Sequence, residues 1–156
     1  MRPSATRAGA DEMSYHLHIL LRYELELALI GGDLKIPDLP AAWNERSFAL
    51  IGVKPANARV GVLQDVHWSQ GMFGYFPTYT LGSLYAAQLV EAYEREQPLQ
   101  EEIQRGEFTS LLAWLRRHVH QLGHRHSAEK IVTLATGKGL DAGAFFRHVE
   151  RKFAGI

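Results

Sequence analysis

Apolar and polar residues alternate from Met13 to Ile19 and again from Tyr23 to Leu29. A period of two is the mark of a half-buried strand. The phase slips at Leu20–Leu21, however, and the run is long for a strand. Leu, Glu, Ala, Met and Arg dominate it with almost no β-branching, which favours a helix. Gly31–Gly32 supply a stop. Residues 11–30 are therefore expected to form a helix, buried over much of its circumference because leucine stands on several of its sides.

The remaining pattern is also helical. Pro40 suits a helix start, and Ala41 to Ile51 reads as a short helix ending at Gly52. Residues 53–60 look like a loop. Leu81, Leu84, Tyr85, Gln88, Leu89, Ala92 and Tyr93 fall on one helical stripe that Pro98 ends. Three further helices are expected. The first is capped by Thr109 or Ser110, turns Leu111, Leu112, Leu115, Val119 and Leu122 inward, and stops at Gly123. The second runs from a Ser127 cap to Gly137. The third is capped by Asp141 and carries Phe145, Phe146, Val149 and Phe153 on its inner stripe. The fold class is mostly α with little or no sheet.

Length and composition narrow this little further. A chain of 156 residues suits one domain spanning 1–156. At 46% hydrophobic and 22% charged it has enough apolar content to fold. Basic and acidic residues balance at 17 each, with no basic block, so no nucleic-acid partner is expected. With no cysteine, disulfides and thiolate metal sites are excluded. No apolar run is long enough for a membrane helix, and MRPSATRAGADE lacks a signal-peptide core. A cytoplasmic location without membrane association is the expectation.

Candidate chemistry concentrates in GVLQDVHWSQGMFGYFPTYTLG, residues 61–82, where Gln64, Asp65, His67, Trp68, Tyr75 and Tyr79 stand among glycines and a proline. Such a stretch is expected to be a loop placed by its flanking elements. Tyrosine hydroxyls can donate to a developing oxyanion, and a histidine beside them can donate or accept. The same residue types would also fill a buried aromatic turn.

The order of these residues is informative. Gly61-Val-Leu-Gln64-Asp65-Val-His67-Trp68 resembles the Gly-x-x-Gln-Asp-x-His-Trp signature of the carboxypeptidase Taq family of metallocarboxypeptidases, matching every fixed position. Gly74 to Gly82 is similar to the family's following stretch. Thr6-Arg7-Ala8-Gly9-Ala10-Asp11 resembles its Ile-Arg-x-x-Ala-Asp signature, with Thr6 in place of Ile. The likeness continues through YHLHILLRYELE, DLPAAWN and ATGKGL. Ser83, Gly9 and His126 depart from the family's usual Asn, Glu and aromatic.

The resemblance implies a helical C-terminal subdomain of a larger zincin-like metallopeptidase, usually dimeric, that removes C-terminal residues from peptides. In the intact family enzyme a divalent metal, zinc or cobalt, sits on a His-Glu-x-x-His helix and a later Glu. This chain contains no His-Glu dipeptide, so it is expected to bind no metal alone and to be inactive in isolation. By the same resemblance Tyr75, Tyr79 and His67 are the catalytic candidates. Gln64 and Asp65 would hold His67 and the loop. Arg7 and Asp11 would brace the cleft wall, as a charge pair with each other, and Trp68 would line the substrate side. The implied partners are a peptide substrate, an upstream metal-binding half and a second copy of the chain. A remnant without activity and a non-catalytic peptide-binding module are the rival readings.

Histidines crowd at His118, His120, His124 and His126. His120 and His124, four apart, would share a helical face as a two-ligand clamp, but cations at a helix C-terminus explain the group more simply. His16 and His18, two apart on a helix, are expected to point in different directions.

Overall fold

The computed structural model describes residues 3–154. Among them there are helices and turns and no strand. They cluster into two compact units, one ending at Thr80 and the other starting at Leu81, where length alone suggested one domain.

In the first unit, α1 spans Tyr15–Gly31 and α2 spans Leu39–Ile51. The carboxylate of Asp11 accepts from Ser14 N at 2.8 Å and Ser14 Oγ at 2.9 Å, satisfying donors at the start of α1. Gly32 closes the helix at φ 84°, a left-handed conformation open to glycine without a Cβ penalty. Leu21 and Leu25 pack against Trp43 and Ile51 of α2, with Leu17, Leu34, Val53 and Trp68 around them. The alternating pattern thus folds as a helix. Its burial, however, is one-sided. His18, Ile19, Leu21, Arg22, Leu25 and Glu26 are buried, whereas Leu20, Tyr23, Leu27 and Ile30 are exposed. The apolar residues form two stripes, and α2 covers one of them.

From Gly61 to Phe76 the backbone is irregular, with a short 3-10 turn at Trp68–Gln70. The expected loop ends earlier than Gly82, because α3 spans Pro77–Glu94. Proline at the first helical position loses no bond there, since that N–H has no intrahelical acceptor. Gly82 inside the helix costs about 1 kcal/mol relative to alanine, which the helix tolerates. Tyr79 therefore sits in the first turn of a helix and not in a loop.

In the second unit, Ala92 and Tyr93 of α3 pack with Leu99 of α4 (Leu99–Arg105) and Trp114 of α5 (Thr109–Leu115). The stripe reading passed over α4, which is too short to show a period; Pro98, read as a stop, also precedes a start. Neither Thr109 nor Ser110 caps α5. The cap position is Phe108, without a side-chain hydrogen bond. Trp114 takes the buried place, and Leu112 faces solvent. α5 continues into a π-helical stretch, Arg116–His120.

The last two helices start as expected. Ser127 Oγ accepts from Lys130 N before α6 (Ala128–Thr136), and Asp141 Oδ1 accepts from Gly143 N before α7 (Ala142–Phe153). Phe145 is buried but its neighbour Phe146 is exposed, one helical step round the axis. No helix among the described residues is long and apolar enough to cross a membrane.

Candidate functional site

The candidate site lies in the first unit, where the 3-10 turn Arg7–Gly9, α1, the irregular stretch and the first turn of α3 supply its side chains. Asp65 is its electrostatic centre. Oδ1 accepts from Arg7 Nε at 3.1 Å and Nη2 at 2.9 Å. Oδ2 accepts from Arg22 Nε at 2.7 Å, with Arg22 Nη2 at 2.5 Å. Arg22 is fully buried. Its Nη1 donates to His18 O at 2.6 Å, and its guanidinium lies 4.8 Å from the Trp43 ring centroid and 5.4 Å from that of Phe76. Burial lowers the Arg22 pKa, opposed by Asp65. Burial also works against the charge on Arg7, but the hydrogen bonds it donates to Asp65 and Tyr15 outweigh this and raise that pKa. The His18 imidazole, fully enclosed and close to Arg22, is pushed down to about 4 by burial first and by the neighbouring guanidinium second.

Gln64 ties the first residues to this stretch. Its Oε1 accepts from Arg7 N at 2.8 Å, and its Nε2 donates to Ala5 O, Val60 O and Gly61 O. Glu26, one turn beyond Arg22 on α1 and buried, accepts from Trp68 Nε1 at 2.7 Å and from Gly74 N at 3.1 Å. Gly74 has φ 76°, a conformation that side chains disfavour. One carboxylate thus pins both ends of the 68–74 turn to α1.

The pinned turn delivers the aromatic cluster. His67 Nε2 lies 2.9 Å from Tyr79 OH. The Tyr75 ring centroid is 5.7 Å from that of His67 and 5.5 Å from that of Tyr79. Arg7 Cζ lies over the Tyr79 ring, 4.8 Å from its centroid. His67 is buried, Tyr79 half-buried, and Tyr75 exposed at 45%. With the proton on Nε2, His67 donates to the Tyr79 hydroxyl oxygen. With it on Nδ1, the phenol donates to His67.

Tyr75, Tyr79, His67 and Arg7 therefore come together. Other candidates are placed differently. Asp11 accepts from Ser14 just ahead of α1, and the carboxylate that takes Arg7 is Asp65. The nearest Asp65 oxygen is 3.9 Å from His67 Nδ1, beyond hydrogen-bond range, so Asp65 steadies the arginines and not the imidazole. Trp68 turns inward, edge-on to Trp43 and Phe76 and stacked with Phe73. Sequence reasoning missed His18, Arg22 and Glu26. Their signal is visible: polar residues four apart lie among the leucines of the core-facing stripe of α1.

Among the described residues, no group of three or more histidine and carboxylate side chains is placed to hold a metal ion. Asp65 and Glu26 are already committed to arginine, indole and amide donors. His120 and His124 are separated by the end of the π stretch and a turn at Gly123–Arg125, so they do not form an α-helical clamp. His16 Nδ1 meets Thr80 Oγ1 at 3.1 Å, while His18 is enclosed.

Residues 1–153 match the family model described as Carboxypeptidase Taq (M32) metallopeptidase. The chain is 47% identical over 157 residues to Thermostable carboxypeptidase 1 of Thermus thermophilus, covering 100% of this chain and 31% of that protein. It is 38% identical to Carboxypeptidase 1 of Bacillus subtilis, again over 31% of the relative. The crystal structure of the M32 carboxypeptidase from Deinococcus radiodurans superposes with a TM-score of 0.93 at 35% identity, covering 99% of this chain and 31% of that one. The chain thus spans about a third of the length of these relatives, their helical C-terminal portion.

Proposed function

The chain belongs to the carboxypeptidase Taq (M32) metallopeptidase family, and we propose that it forms the substrate and oxyanion side of a metal-dependent carboxypeptidase site whose metal ligands lie in another part of the enzyme. The observation that carries this reading is the 2.9 Å contact between His67 Nε2 and Tyr79 OH, beside an exposed Tyr75 and a charged Arg7. Peptide hydrolysis builds negative charge on the carbonyl oxygen, and preorganised donors aimed at that charge lower the barrier.

In this reading Tyr79 donates to the oxyanion. His67 fixes its hydroxyl and supplies or receives the proton at Nε2. Tyr75 walls the open side. Arg7 puts a positive charge under the Tyr79 ring and favours anionic substrate groups. Asp65 and Gln64 hold Arg7 in place, and Glu26 through Trp68 holds the turn. A divalent metal, zinc or cobalt, held by residues elsewhere in the intact enzyme would supply the activated water. The substrate is a peptide cut at its C-terminal end.

Kinetics of the tyrosine variants in the reassembled enzyme test the assignment. Tyr79→Phe is expected to lower kcat by about 10²–10³-fold with KM little changed, the mark of an interaction made in the transition state. A Tyr79→Phe enzyme within threefold or so of the parent, with Tyr75→Phe carrying the large loss, would transfer the donor role to Tyr75.

A further inference from the structure

The bond between His67 and Tyr79 can run in either direction, and the choice lies with the other nitrogen of the ring. His67 is 6% exposed. Its Nε2 meets Tyr79 OH at 2.9 Å, while its Nδ1 is buried without a hydrogen-bond partner among the described residues. A neutral imidazole carries one proton, so one nitrogen donates and the other accepts. Nε2 is satisfied in both tautomers, because a phenol can accept or donate. What differs is whether Nδ1 presents an N–H or a lone pair to its surroundings.

Those surroundings favour one of the two. The ring of Phe76 lies 4.4 Å from the imidazole, centroid to centroid, and offers neither a donor nor an acceptor. The charged group in reach of Nδ1 is Asp65, with Oδ1 at 3.9 Å. That is too long for a hydrogen bond but short for electrostatics where water is excluded. Arg7 donates to the same Oδ1 and Arg22 to Oδ2. They dilute the charge of the carboxylate, yet leave an acceptor oxygen and not a donor beside Nδ1. An N–H there is attracted to that oxygen, and a lone pair is repelled by it.

We propose that Asp65 is a positioning residue that keeps the proton of neutral His67 on Nδ1, so that Nε2 accepts and the Tyr79 hydroxyl donates to it. Asp65 does not hold the ring in place, since the arginines take its hydrogen bonds. It selects the nitrogen that carries the proton. The consequence for catalysis rests on the function proposed above. In the resting site the phenol proton is aimed at Nε2, which fixes the direction of the Tyr79 hydroxyl before substrate arrives. Tyr79 then reaches an oxyanion by turning from one acceptor to another, and of the two roles at Nε2 His67 takes the receiving one.

Nitrogen NMR of the full chain with isotope-labelled histidine tests this at about pH 8.5, where an ordinary imidazole is neutral. His67 is identified by the signals that His67→Gln removes. The two ring nitrogens resonate far apart according to which bears the proton. The Nδ1-protonated form is expected in at least about tenfold excess, although free imidazole side chains in water favour the proton on Nε2. Tyr79→Phe removes the partner of Nε2 and leaves Asp65 beside Nδ1, so the excess should persist. Asp65→Asn with Arg22→Met removes the carboxylate without stranding a buried guanidinium, and should lower the excess severalfold. A proton on Nε2 in the parent chain overturns the proposal. So does loss of the preference in Tyr79→Phe, which makes the phenol the selector, and so does an unchanged excess in the double variant with its helical circular dichroism intact. If the double variant does not fold, the parent and Tyr79→Phe decide alone. All these spectra are read on the chain without metal or peptide, so their outcome is independent of the tyrosine-variant kinetics that test the proposed function.

Discussion

Replacing Asp65 with asparagine should destabilise the first unit severely. The substitution preserves shape but removes the one carboxylate shared by Arg7 and Arg22. The two arginines are not equivalent. Arg7 keeps 19% of its side chain in solvent and retains Tyr15, so its loss of a partner should cost about 1 kcal/mol or less. Arg22 has no solvent access and keeps only His18 O and the faces of Trp43 and Phe76. An uncompensated buried charge costs about 3–5 kcal/mol. That is a large part of the roughly 5–15 kcal/mol that holds a domain folded. Urea unfolding in a Trp114→Phe background isolates the first unit, because its fluorescence then comes from Trp43 and Trp68. Adding Arg22→Met to Asp65→Asn should restore about 1 kcal/mol or more, since it removes the stranded charge. A loss below about 1 kcal/mol for Asp65→Asn, or strict additivity in the double variant, would refute the claim that Asp65 neutralises a buried guanidinium.

Two further outcomes follow from the same site. His18 has a folded pKa of about 4, below its unfolded value of about 6.5, so the unfolded chain binds the extra proton. The stability it contributes is present above about pH 6.5 and is lost as pH falls towards 4, by roughly 3 kcal/mol in all; urea midpoints across that window should fall, and His18→Phe should flatten the slope. Glu26→Gln presents an amide with a single acceptor to two donors, Trp68 Nε1 and Gly74 N. It should cost about 1–3 kcal/mol and speed hydrogen exchange at Gly74, and unchanged exchange there would show that Glu26 does not pin the turn.

Helix ends were the most legible part of the fold, because their signals are local. Gly32, Gly52, Ser127, Gly137 and Asp141 all sit at the ends where their chemistry belongs. The start of α3 was not read, since Pro77 opens a helix as readily as it breaks one. For the site, motif order brought His67, Tyr75, Tyr79 and Arg7 into view, and the structure places them together. The supporting residues were hidden by distance along the chain. Arg22 meets Asp65 43 positions away and Glu26 meets Trp68 42 positions away, so no local pattern reveals either bond. Asp11 is the opposite case. Its partner Ser14 is three residues on, and the Asp-x-x-Ser spacing before an apolar run reads as a helix start.

In the proposed function this chain supplies one side of a carboxypeptidase site and needs a metal-bearing part to act. Release of the C-terminal residue from a defined peptide, followed by mass spectrometry with zinc or cobalt present, tests it most directly. The account predicts no release by the chain alone, none by the N-terminal part of the Thermus thermophilus relative alone, and metal-dependent release by the two together that Tyr79→Phe suppresses. Metal-dependent release by the purified chain alone, or a stable two-part complex that releases nothing, would contradict it.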